Sequence, residues 1–186
     1  KPLLYLDLGN AFYPGLISRF SFGSVAYDYL AFNGCDATIV SSRDIRVGIE
    51  NLLGFEKEKK RFLLSANIIR DEAPVFLPYV IANRGGKKIA IIGISAENVL
   101  FDITDTITSG VTLSSSLKAV EKTAQLAADE HPDAIILLSG LPSEINLRLM
   151  NLFPALNLCV SGGDNHGTVY SEQAGRIILS DGRQIL

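Results

Sequence analysis

Four short stretches of this 186-residue chain hold the side chains that could do chemistry. They are Asp7-Leu8-Gly9-Asn10, Ser41-Ser42-Arg43-Asp44, Ser139-Gly140 and Ser161-Gly162-Gly163-Asp164-Asn165-His166. Carboxylates and an imidazole in such loops can ligate a metal ion or move a proton. Arg43 adds a fixed cation that cannot give up its proton. Each stretch follows directly on an apolar run with the length of a buried strand, and open α/β sheets bind ligands beyond the carboxyl ends of their strands. Gly, Asn, Ser and Asp also make plain turns at strand ends, so the residue types alone leave both readings open. Other chemistries fail sooner. The glycines at 162 and 163 lack the Lys-Ser/Thr of a P-loop, and Ser139-Gly140-Leu141-Pro142 lacks the frame of a nucleophile elbow. Cys159 sits inside a strand and is poorly placed to pair with His166, while His131, before Pro132, reads as a helix-end residue.

The elements that must position these loops can be read from apolar spacing. Residues 3–6, 37–40, 62–64, 134–138 and 156–160 read as strands. Residues 79–82 and 88–94 form a hairpin through Arg84-Gly85-Gly86-Lys87. Two further strands are expected at 169–170 and 177–179, followed by a turn at Asp181-Gly182. A helix over 25–32 would turn Val25, Tyr29 and Phe32 inward and stop at Asn33-Gly34. Another over 45–55 would bury Ile49, Leu52 and Leu53 and run into Lys57, Lys59, Lys60 and Arg61, whose charges suit the helix C-terminus. Residues 102–116 read as a polar loop. The clearest helix follows, with Leu117, Val120, Ala124 and Ala127 on its apolar face, and a last one, capped by Ser143, carries Ile145, Leu149 and Phe153. The runs at 37–40, 89–92, 134–138 and 156–160 are apolar on both faces, as strands covered on both sides require. The expected class is α/β, with mixed sheets covered by helices.

Composition bounds the rest. With 47% hydrophobic and 20% charged residues, the chain is neither disordered nor fibrous, and its length suits a single domain spanning 1–186. A net charge of −3 argues against a nucleic-acid polymer as partner. No apolar run approaches the ~18 residues of a membrane span. Lys1-Pro2 leads straight into Leu3-Leu4-Tyr5-Leu6, so no signal peptide is expected at the start of this sequence. Cys35 and Cys159 allow one bridge at most.

Taken in order, these motifs resemble the catalytic domain of the calcineurin-like metallophosphoesterases, most closely the 5′-nucleotidase branch. Leu64-Ser65-Ala66-Asn67-Ile68, Ile91-Ile92-Gly93-Ile94 and Asn33-Gly34-Cys35-Asp36-Ala37 carry the likeness, and the order of motifs extends over nearly the whole chain. The resemblance implies a four-layer α/β/β/α sandwich with a two-metal site bridged by a carboxylate. At the family's Gly-Asp motif stands Gly9-Asn10, so the bridging carboxylate is an amide. At Gly-Asn-His-Glu stands Ser41-Ser42-Arg43-Asp44, which puts Ser42 at a ligand position and Arg43 at that of the catalytic His. At Ser-His stands Ser139-Gly140, and at Gly-Gly-His-x-His stands Gly162-Gly163-Asp164-Asn165-His166. The family's opening Asp-x-His strand is missing from these residues.

Two close divalent cations need anionic ligands to offset their repulsion, and this set removes most of them while adding Arg43. The resemblance therefore implies a degenerate domain, without phosphohydrolase activity and without cofactor, that acts as a binding or structural module. The alternative is an active nucleotidase-type phosphohydrolase with an atypical metal set: one weakly bound divalent ion (Mn, Zn or Fe) at Asn10, Asp164 and His166. Asp7, Ser42, Arg43, Asp44, Asn67, Gly140 and Asn165 are expected around the crevice. Arg43 would either fill the vacated metal region and pair with Asp164 or point into solvent. A protein or a small anionic ligand is the expected partner, and family analogy suggests the periplasm or the cell exterior.

Overall fold

A computed structural model describes residues 2–59, 61–100 and 110–162, and the backbone of 169–173 and 176–180. Its strands are β1 (Leu6–Asp7), β2 (Ala37–Ile39), β3 (Leu63–Leu64), β4 (Ile68–Arg70), β5 (Ala73–Pro74), β6 (Tyr79–Arg84), β7 (Lys87–Ile94), β8 (Thr112–Leu113), β9 (Ala134–Ser139), β10 (Leu158–Ser161), β11 (Val169–Gln173) and β12 (Arg176–Ser180). Its helices are α1 (Leu16–Phe20), α2 (Ser24–Phe32), α3 (Ser42–Ile45), α4 (Ile49–Glu58), α5 (Ser116–Asp129) and α6 (Ser143–Leu152).

A three-stranded parallel sheet, β1-β2-β3, faces a six-stranded sheet in the order β11-β12-β10-β9-β7-β6, and a small sheet, β5-β4-β8, stands beside them. In the large sheet β7, β9, β10 and β12 run parallel, and the edge strands β6 and β11 are antiparallel to their neighbours. Strand alternation deals the side chains into layers. Ala37, Ile39, Leu64, Ile91 and Leu138 meet between the two main sheets. Ala90, Ile92, Ile135 and Leu137 point the other way, onto Ala119, Val120, Ala124 and Ala127 of α5 and Leu149 and Met150 of α6. Val40 and Leu63 turn outward onto Tyr27 and Leu30 of α2 and Ile49 and Leu52 of α4. The result is the expected α/β class, layered helix, sheet, sheet, helix.

At one point the two sheets touch at backbone distance. A Cβ added at Gly93 on β7 would fall 2.2 Å from the Leu64 Cβ and 3.0 Å from the Leu64 carbonyl carbon, so only glycine fits. The β6–β7 hairpin turns through Gly85 and Gly86 at φ 59° and 76°, the left-handed pair that a tight hairpin of this twist needs.

Several local expectations change. Helix α2 forms, but Tyr27 and Leu30 face the core, and Val25, Tyr29 and Phe32 lie on the exposed side. The helix expected over 45–55 begins only at Ile49: Ile45 ends α3, and Gly48 at φ 95° separates it from α4. Ser143 is the first residue of α6 and does not cap it; Pro142, extended at ψ 152° and without an N–H, precedes the first turn. Of the loop expected at 102–116, residues 112–113 are strand β8 and α5 begins at Ser116; residues 101–109 and the Asp181-Gly182 turn lie outside the described residues. Cys35 and Cys159 form no bridge and lie buried in different core clusters.

Candidate functional site

The carboxyl ends of both main sheets open onto one cleft of about 320 Å³. Leu8 and Asn10 line it from the loop after β1, Ile39 to Ser42 from the end of β2, and Ala96 to Asn98 from the loop after β7. Gly140, Pro142 and Ile145 follow β9, and Gly162 follows β10.

Asp44 builds the turn on the β1–β2 side, from below. It is fully buried, and its carboxylate accepts the amides of Asn10 (2.9 Å), Phe12 (3.0 Å) and Ser41 (2.9 Å) and the Ser41 hydroxyl (2.6 Å). With the Ser41 hydroxyl also accepting the Asp44 amide at 3.3 Å, this is a reciprocal capping box for α3. Burial pushes the Asp44 carboxyl above its ordinary range, against the pull of those four donors. Gly9, at φ 83°, lets the β1 loop come this close: a Cβ there would meet the Ile39 carbonyl at 2.8 Å and Asp44 Oδ2 at 3.0 Å. Asn10 follows at φ 64°, a conformation that asparagine tolerates, and its amide also reaches the Ser41 hydroxyl at 3.1 Å.

Two buried polar clusters brace the floor. Asn67 donates to the Ser95 carbonyl and accepts the Ser95 amide, both at 2.9 Å. The Ser95 hydroxyl donates to the Val40 carbonyl at 2.6 Å and lies 2.9 Å from the Ser65 hydroxyl, so the ends of β2, β3 and β7 are tied across the two sheets. On the other side Asn146 of α6 accepts from Ser139 (2.7 Å) and donates to the Leu141 carbonyl (2.8 Å) and to Ser161 (2.9 Å).

Of the residues expected around the crevice, Ser42 and Gly140 line the cleft, as does Asn10, the candidate metal ligand. Asp44 does not face it, because its oxygens are taken by backbone amides beneath. Asn67 is fully buried in the clasp to Ser95, and Asp7 accepts its own turn's Gly9 amide (2.9 Å) and the Thr38 hydroxyl (2.5 Å). Arg43 is exposed and is not among the lining residues. Asp164, Asn165 and His166 lie outside the described residues, and with them the Arg43–Asp164 pairing. The loop after β7 was not foreseen as a wall, although Ser95-Ala96-Glu97-Asn98 follows an apolar strand just as the other loops do; Glu97 there accepts the Ser116 hydroxyl at 2.9 Å.

The described residues do not fit a two-metal centre. Among them no group of three or more His, Cys, Asp or Glu side chains gathers. Asn10 and Ser42 offer a neutral amide and a hydroxyl, and a Cβ at Gly140 would fall 2.9 Å from the Ala96 backbone nitrogen. A ligand side chain at 140 therefore needs that main chain to move.

No protein-family model and no curated protein matches the sequence. Solved structures do match. The SoxB sulfate thiohydrolase of Thermus thermophilus superposes with a TM-score of 0.81 at 21% identity, over 95% of this chain and 33% of that one. A 5′-nucleotidase precursor, also from Thermus thermophilus, gives 0.80 at 19% identity, over 97% and 39%. The calcineurin-like phosphoesterase YfkN from Bacillus subtilis gives 0.71 at 16% identity, over 95% and 66%. The chain thus spans about a third of the SoxB chain and two fifths of the nucleotidase. Layering, strand order and these superpositions agree: the chain has the metallophosphoesterase fold in its 5′-nucleotidase-like form.

Proposed function

We propose that this domain is a degenerate member of the nucleotidase-like metallophosphoesterases, one that does not hydrolyse phosphate esters and acts as a binding or structural module. The observation that carries the reading is at Gly140. Where the resemblance implies a metal-binding imidazole, the Ala96 backbone occupies the space a Cβ would take. Asn10 at the bridging position and Arg43 at the general-acid position point the same way. Each missing group is expected to cost on the order of 10²-fold or more in rate, and both act on one transition state. What remains is a cleft whose walls mix apolar side chains (Leu8, Ile39, Val40, Ile145) with hydroxyls, amides and the Glu97 carboxylate. Such a lining suits a small polar molecule or a peptide segment held by shape and hydrogen bonds.

The test is turnover of a nucleoside monophosphate and an aryl phosphate with Mn, Zn or Fe added. Rates at the no-enzyme background are expected. Metal-dependent turnover well above it, lost in Asp164→Ala, would overturn the reading and favour a metal at Asn10, Asp164 and His166.

A further inference from the structure

The surface of α1 and α2 is unlike the rest of the molecule. Helix α2 is apolar nearly all round, with Asp28 its single charge. One stripe, Ala26, Tyr27, Leu30 and Ala31, packs into the core. The opposite stripe, Val25, Tyr29 and Phe32, faces outward, and Phe32 is 92% exposed. Helices apolar on every side are ordinarily buried on every side. Next to it α1 exposes Leu16, Ile17 and Phe20, the last by 85%. Between the helices Phe22 stands at φ 49°, a left-handed conformation that bulky residues avoid, with its ring largely in solvent. Backbone strain of that kind persists where the surroundings or the function require it.

Area and charge say what covers this face. Its seven large side chains expose on the order of 1,000 Å², well beyond the largest apolar patch of an ordinary monomer and enough for one side of a stable protein interface. From residue 16 to 33 there is neither Lys nor Glu, and the charges are one Arg19 and one Asp28. Lys59 borders the face through its ion pair with Asp28, whose side chain stays more than half exposed. Interface cores are rich in aromatic side chains and depleted in Lys and Glu. A membrane-seeking face would be flanked by an excess of unpaired Lys and Arg, whereas the charges of residues 16–33 balance and the bordering Lys59 is held by Asp28, on a chain of net charge −3. Asp28 is already paired with Lys59, which leaves Arg19 the one other charge within residues 16–33, so little net charge opposes a second copy of this apolar face across a two-fold axis.

We infer that the α1–α2 face is the interface of a homodimer, two copies joined through Leu16, Phe20, Phe22, Tyr29 and Phe32. The experiment is sedimentation of the purified full chain at micromolar concentration, beside the double variant Phe20→Glu/Phe32→Glu. Both phenylalanines are exposed, so the variant should keep the parent's circular dichroism spectrum. The parent is expected to sediment as a dimer and to melt at a temperature that rises with concentration. The double variant should dissociate, with Kd raised at least ~100-fold, as when buried aromatic anchors are lost from an interface. Leu152→Glu, an exposed change on α6, should leave the dimer intact. A monomeric parent would overturn the inference, and its binding to phosphatidylcholine or phosphatidylglycerol vesicles would assign the face to membrane instead. A dimer that survives the double substitution, or one broken equally by Leu152→Glu, would also overturn it.

Discussion

Asp44→Ala tests whether the carboxylate beneath the cleft is structural. The substitution removes an acceptor serving three backbone amides and one hydroxyl. The Asn10 amide keeps a second partner in Ser41 Oγ at 3.1 Å, so two amides lose these bonds, that of Phe12 in a buried setting and that of Ser41 in a part-buried one. Each such loss costs about 1–3 kcal/mol, which makes ~4 kcal/mol a reasonable total. That is a large share of the 5–15 kcal/mol typical of a domain, and for a chain of this size it lowers Tm by roughly 8–16 °C. Asp44→Asn should lie between. Its carbonyl can replace one oxygen, but its amino group then confronts an amide donor. Thermal unfolding followed by circular dichroism reads the stability, and hydrogen exchange at Phe12 and Ser41 reads the mechanism; both amides should exchange faster in Asp44→Ala. A loss below about 0.5 kcal/mol, the scale of an ordinary surface change, would refute the structural role. So would an Asp44→Asn stability equal to that of the parent, because a structural carboxylate serving several donors cannot be replaced by an amide without loss.

Two further outcomes follow from buried contacts. Gly93→Ala should cost at least about 3 kcal/mol, because its Cβ meets Leu64 backbone and Cβ atoms that cannot swing aside. Leu64→Ala should not rescue it, since that residue keeps its Cβ; rescue in denaturant melts would contradict the geometry. Glu56 is buried and accepts the Phe62 and Leu63 amides through Oε1 alone, and burial holds its carboxyl above the ordinary 4.5. The folded protein then keeps this proton to a higher pH than the unfolded chain does, so stability falls as pH rises from 4.5 through the raised value. Glu56→Gln retains an acceptor for both amides and cannot ionise. It should gain on the parent as pH is raised toward neutrality, and a constant difference across that range would refute the assignment.

The central strands were legible because a strand covered on both faces must be almost wholly apolar, as Ile135 to Leu138 is and as Ala37 to Val40 is apart from Thr38, whose hydroxyl is taken by Asp7. The orientation of α2 was not. Spacing alone cannot choose between Val25-Tyr29-Phe32 and Tyr27-Leu30 when both stripes are apolar; the choice depends on packing against Phe12 and Phe62, distant in sequence. The cleft loops could be found from strand ends, and the loop after β7 would have been found had the same rule been applied there. What sequence could not give was direction. Asp44 looked like a residue for the crevice, and its inward turn is set by the Asn10 and Phe12 amides, more than 30 positions away. Asn67 turned to Ser95, 28 positions on, for the same reason.

The clasp of Val40, Ser65, Asn67 and Ser95 has a consequence for motion. It joins strand ends from two different sheets in a fully buried interior, directly beside the place where Gly93 and Leu64 touch. Sliding one sheet along the other would break those bonds together, and tilting them would drive Leu64 into the Gly93 backbone. The floor therefore acts as a keystone, expected to open only when the domain as a whole comes apart. If the cleft serves the proposed binding role, a guest would meet a mould of fixed depth, and selectivity would come from matching it.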